Sequence, residues 1–196
     1  MSKSAYPIKT DEEQFERVVI VAWVDNEAGV LARVSGLFSG RGYNIESLAV
    51  AKVDEERNIS RITIATNGTK SVIEQIKAQL LKLVPVHNVS DYKIDDQSIF
   101  RELTLIKFIG DKELLSKAEK ICVDFKGEFL DKTPQSFIVQ IVNTRRDIDD
   151  FIKKAKPFGL ASITRSGPLA MSKGPITTKD NKGKVLWKCF TKKMPM

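Results

Sequence analysis

The chain has 196 residues, 42% hydrophobic and 29% charged, the composition of a soluble globular protein able to bury a real core. No apolar run approaches the ~20 residues of a membrane span, and the opening MSKSAYPIKTDEEQFE lacks an apolar signal core and is too acidic for a transit peptide, so a cytoplasmic protein is expected. The net charge of +7 is uneven: Lys173 to Met196 holds seven lysines and one aspartate, which leaves +1 for residues 1–172.

Residues 1–16 read as an N-terminal extension. RVVIVAWVD, Arg17 to Asp25, is a β-branched run of strand length and reads as a buried central strand. Val30, Leu31, Val34, Leu37 and Phe38 then recur at helical spacing until Gly40 and Gly42, where a left-handed cap is easy. NIESLAVAKV and ISRITIATN, split by the polar turn DEERN, alternate as a hairpin, with Asn44 at the start of its first strand. Ser71 and Glu74 form a capping-box pair ahead of Val72, Ile73, Ile76, Leu80 and Leu83, Pro85 ends that helix, and Val86 to Ile94 is a strand.

The order β-α-β-β-α-β over residues 17–94 is the ferredoxin-like unit, an α+β fold. Residues 95–99 read as a linker, and 100–174 repeat the order. FRELTLIKFIG is a strand, and Leu114, Leu115, Ala118, Ile121 and Phe125 give a helix opened by Asp111. GEFLDKT and QSFIVQIVN make a hairpin around Pro134, Ile148 to Phe158 supply a second helix, and LASITRSG the final strand. Residues 175–196 form a basic tail of little periodicity, expected to be disordered or loosely docked on Trp187 and Phe190.

Chemistry-bearing residues are sparse. Cys122 and Cys189 lie 67 positions apart, and His87 is the only histidine, so neither a disulfide framework nor zinc-ligand spacing is present. Cys122 falls on an apolar helical stripe and reads as core filler; His87 suits a surface or cross-strand role. No nucleophile, base and orienter come together, and no catalytic or metal residue is assigned.

The glycine-rich stretch DNEAGVLARVSGLFSGRGYNIESL does carry a signal. A dinucleotide fingerprint needs its close glycine pair between strand and helix, but Gly40 and Gly42 follow the helix and only Gly29 precedes it. One glycine at a strand-to-helix turn suits a smaller ligand, whose carboxylate can meet the free amides of the first helical turn. Asn26 and Asn44 can serve the polar end of a zwitterion, and Val30, Leu31 and Ile45 are aliphatic neighbours for a small apolar side chain. The bland alternative is that Asn26 caps the helix and Asn44 fills a turn.

That run, with SRITI, IEQIKAQLLKLVPV, RELTLIK and ITRSGPLAMSKG, resembles the small regulatory subunit of acetolactate synthase (acetohydroxyacid synthase), over about Arg17 to Gly174. RGYNIESL is its most specific part. The resemblance implies two tandem ferredoxin-like domains, an N-terminal ACT domain and a C-terminal ACT-like domain. It implies a bacterial subunit without catalytic residues or cofactors of its own, which binds and activates a catalytic large subunit carrying thiamine diphosphate, Mg2+ and usually FAD. It further implies feedback inhibition by valine, leucine or isoleucine at the interface of a homodimer, with Asn26, Gly29, Val30 and Leu31 from one protomer and Asn44 and Ile45 from the other.

An RNA-recognition motif shares the element order, but its third strand carries base-stacking aromatics, and ISRITIAT has none. No nucleic-acid or membrane partner is therefore expected. A stand-alone amino-acid sensor and an enzyme in its own right are the other rivals.

Overall fold

The computed structural model describes residues 15–94 and 97–175. The first unit runs β1 (Glu16–Asp25), α1 (Val30–Ser39), β2 (Ser47–Asp54), β3 (Ile59–Gly68), α2 (Lys70–Leu80) and β4 (Val86–Tyr92). The second runs β5 (Ser98–Ile109), α3 (Lys112–Asp124), β6 (Glu128–Lys132), β7 (Ser136–Asn143), α4 (Arg145–Ala155), β8 (Leu160–Arg165) and β9 (Leu169–Ser172). Strand orders β2-β3-β1-β4 and β6-β7-β5-β8, all antiparallel, make both units ferredoxin-like.

Each apolar stripe becomes a core. Val30, Val34, Leu37 and Phe38 of α1 pack with Ile73, Ile76 and Leu80 of α2 on Val18, Ile20, Ala22 and Val24 of β1. Burial of such side chains is worth about 1.5–3 kcal/mol each. In the second unit Leu115, Ala118 and Cys122 of α3 and Ile148, Phe151 and Ala155 of α4 cover Ile106 and Phe108 of β5. Cys122 is fully buried, and loss of hydration, with Glu119 adding a smaller push, drives its thiol up to about 12, so it packs as an apolar group. Glu102 on β5, 2% exposed, is held by Arg165 at 2.5 and 3.1 Å, and Arg165 also reaches Asp149 at 2.6 Å. The bond to Glu102 leads the effects that raise the Arg165 pKa.

Several local expectations need correction. The cap of α2 is Thr69, extended at φ −71°, whose hydroxyl accepts from Val72 N at 3.4 Å. Ser71 already lies inside the helix, and Glu74 pairs with Lys77 instead. Gly40 stays right-handed at φ −65° while Gly42 alone takes the left-handed turn at φ 68°, after which Tyr43 N reaches back to Phe38 O at 3.0 Å. Asn44 and Ile45 precede β2, which starts at Ser47, and β4 stops at Tyr92.

Ser98 and Ile99, read as linker, open β5, because an unanticipated strand, β9, pairs with them: Ser98 faces Ser172 and Arg101 faces Leu169. This ribbon lies on the far face of the first sheet, where Val19, Val21, Trp23, Ile59 and Tyr92 form a third core with Ala170, and Phe100 packs against it. Arg61 stacks its guanidinium over Trp23 at 5.6 Å and bonds Ala170 O. Burial lowers the Arg61 pKa, with Tyr92 opposing. Within the tail, 176–196 lie outside the described residues, and so does Cys189.

Candidate functional site

β1 ends at Asp25, and the exposed loop Asn26 to Gly29 feeds α1. Gly29 is the N-cap in the left-handed region, φ 85° and ψ −8°, which a non-glycine residue enters at a cost. No side chain caps α1, and its first turn holds no acidic residue. The other three helices are capped by side chains: Thr69 on α2, Asp111 on α3 through Leu114 N at 2.8 Å, and Thr144 on α4. Gly29 has no side chain to offer the first-turn amides, which have no intrahelical partner by the geometry of any α-helix. Of these amides Val30 N donates to Glu27 O in the loop at 3.4 Å, and beside them Leu31 is 39% exposed while Val30 is buried.

Asn26 does not cap the helix. Its side-chain Oδ1 accepts from Ser60 Oγ at 3.1 Å and its Nδ2 donates to Asn58 Oδ1 at 3.4 Å, while its backbone exchanges bonds with Asn58 at 2.7 and 3.0 Å. The loop is thereby pinned to the start of β3. His87 Nε2 meets Asp25 Oδ1 at 2.7 Å across β1 and β4, in a cross-strand role.

Asn44 and Ile45 sit at the other end of the sheet. Thr66 Oγ1 donates to Asn44 O at 2.6 Å, Ile45 packs on the first core, and the Asn44 side chain stays exposed. The anchors Ser60 and Thr66 are six positions apart on β3, roughly 20 Å at the rise of a strand. One chain therefore brings Asn26, Gly29, Val30 and Leu31 together, and keeps Asn44 and Ile45 away from them.

Sequence reasoning missed Glu46. Its carboxylate, next to Ile45, takes Arg17 at 2.9 Å, Asn67 at 3.3 Å and, from the second unit, Arg145 at 3.1 Å. Gly167, in the turn between β8 and β9, lies so close that a Cβ there would come within 2.5 Å of Ser47. Only RGYNIESL as a string marks this glutamate; no periodicity does. The sheet face that an RNA-recognition motif would expose is covered here by Phe100 and Ala170 in the first unit. Among the described residues no helix is long and apolar enough to cross a membrane, and no group of His, Cys, Asp and Glu could hold a metal.

Two ferredoxin-like units in tandem, the first with an uncapped helix start beside a pinned polar loop, define a protein of the ACT-domain class. A model described as AHAS small subunit-like ACT domain matches residues 20–88, and one described as small subunit of acetolactate synthase matches residues 101–174. The chain is 40% identical to the acetolactate synthase small subunit of Buchnera aphidicola, over 76% of this chain and 94% of that one. It is 37% identical to the isozyme 3 small subunit of Escherichia coli, over 81% and 96%. The crystal structure of the Thermotoga maritima small subunit superposes with a TM-score of 0.72 at 29% identity, over 82% of this chain and 99% of that one. The chain belongs to the acetolactate synthase small-subunit family.

Proposed function

We propose that this chain regulates an acetolactate synthase: it binds the catalytic large subunit, raises its turnover, and confers feedback inhibition by valine or another branched-chain amino acid. Thiamine diphosphate, Mg2+ and FAD belong to the large subunit in this reading, which forms 2-acetolactate and CO2 from two pyruvates.

The observation that carries the effector site is the uncapped start of α1. A ligand carboxylate there accepts hydrogen bonds from the first-turn amides and gains about 0.3–1 kcal/mol from the helix dipole. Asn26 and Asn44 hold the rest of the zwitterion, and Val30, Leu31 and Ile45 receive its aliphatic side chain.

The ~20 Å between the two halves supports a homodimer. Among the described residues β2 is an edge strand, and its alternate residues Leu48 and Val50, 37% and 44% exposed, form an apolar strip along it; Leu31 of α1 is exposed too, at 39%. Antiparallel pairing of β2 with its copy about a two-fold axis buries that strip and sets the Asn44 end of one chain against the Asn26 end of the other. The Glu46–Arg145 bond then connects an occupied site to the second unit.

Reconstitution tests the reading. The chain alone forms no acetolactate, adding it to the cognate large subunit raises turnover several-fold, and valine, leucine or isoleucine reverses the gain. Acetolactate formation without a large subunit, or a reconstituted enzyme indifferent to the chain, overturns it. Cutting after Gly174 leaves activation and effector response intact and removes affinity for polyanions.

A further inference from the structure

A cleft of about 650 Å³ lies between the two units, at the β1 end remote from Asn26. Its volume falls in the roughly 300–1,000 Å³ range of small-molecule sites. Its walls are mostly apolar, with Val19, Tyr92, Phe100 and Pro168 among them. Around these stand Arg17, Arg101, Arg145, Arg146 and Lys173, and no Asp or Glu among the described residues lines it.

Among the described residues these cations have few carboxylate partners, although Asp124 and Asp147 line a neighbouring pocket with Arg101. Glu46 serves both Arg17 and Arg145. Arg101 donates only to the carbonyl of Phe100, and no ion pair is formed by Arg101, Arg146 or Lys173 among the described residues. Arg145 and Arg146 occupy the first turn of α4, where the helix dipole disfavours positive charge. Arg145 Nε is also shut off from water without an acceptor, an arrangement that protein interiors rarely leave unused. Local preference accounts for none of this.

We propose that the cleft binds an amphipathic organic acid, with its carboxylate held by Arg101, Arg145 and Arg146 and its apolar body against Tyr92 and Phe100. Planar guanidinium groups suit a carboxylate, and two aromatic rings in the wall suit a hydrocarbon or aryl body. The cleft lies at the opposite end of β1 from the Asn26 half of the effector site, about 23 Å from Val18 to Asp25 at the rise of a strand, and it adjoins the Asn44 half through Glu46, which bonds both Arg17 and Arg145.

Calorimetry on the full chain, with 4-phenylbutyrate as probe, tests this. One equivalent binds per chain, at least about tenfold tighter than neutral 4-phenylbutanol or inorganic phosphate. The double variant Arg101→Ala/Arg146→Ala, whose replaced side chains make no ion pair, keeps the native melting temperature and loses at least about tenfold in affinity. Arg101→Lys/Arg146→Lys recovers part of it. Four results overturn the proposal: no saturable binding below about 10 mM, equal binding of acid and alcohol, phosphate binding as tightly as the probe, or affinity unchanged in the alanine variant. Substituting Val142→Lys on the exposed face of the second sheet leaves binding unchanged; a loss there places the probe on that face instead and also overturns it.

Discussion

The two units share one chain path and differ at two places, the start of the first helix and the far face of the sheet. In the second unit α3 carries its own carboxylate: Asp111 occupies the cap and accepts from Leu114 N. In the first unit the same position is Gly29, which brings no side chain to the helix start. The far face of the first sheet is buried under Phe100 and Ala170, whereas the second leaves Leu103 and Val142 at 40% and 53% exposure. A fold repeated within one chain is thus capped by its own side chain at one helix start and left without a side-chain cap at the other, through a single residue type.

The largest expected effect comes from making α1 resemble α3. Gly29→Asp places a carboxylate where the ligand's is proposed, and a Cβ there meets nothing within 4 Å, so the fold pays only the cost of the left-handed backbone. The valine response of the reconstituted enzyme falls by about 30- to 150-fold, as about 2–3 kcal/mol of charge-assisted bonding is lost. An unchanged valine titration moves the site elsewhere.

Next come the faces. Ala170→Asp puts an unpaired charge against Trp23 and Tyr92 and costs about 3 kcal/mol in urea unfolding. Leu103→Asp on the exposed face stays within about 0.5 kcal/mol. Equal costs erase the distinction.

Asn44→Ala removes an amide whose side chain makes no hydrogen bond among the described residues, and weakens valine by about 1–3 kcal/mol with stability unchanged. Asn26→Ala weakens valine similarly and also loosens the loop, because Ser60 and Asn58 lose a partner. The pair of inhibition curves beside the pair of melting curves separates ligand contact from loop support.

The smallest effect lies in the second core. Cys122→Ala costs about 1 kcal/mol near neutral pH. The raised thiol pKa makes the cysteine's contribution complete below the ordinary value of 9.0, and it fades as pH climbs towards about 12, since only the unfolded chain ionises in that window. The advantage of the cysteine protein therefore shrinks above pH 9 and reverses before about pH 12.

Periodicity and punctuation alone were enough for the two βαββαβ units, the stripes of α1 to α4, the Asp111 cap and the glycine turn at Gly29, because each is a relation between residues a few positions apart. Ser71 misled because two hydroxyl residues compete within one turn, and the extended backbone of Thr69 decides between them. The tertiary structure alone decided the rest. β9 has only four residues and no periodicity to betray it; its partner strand and the face of Trp23 create it. Glu46 and Arg145 meet across 99 positions, and the two halves of the proposed effector site stand at opposite ends of one sheet. Such pairings depend on how whole elements stack, and no short window of sequence contains both partners.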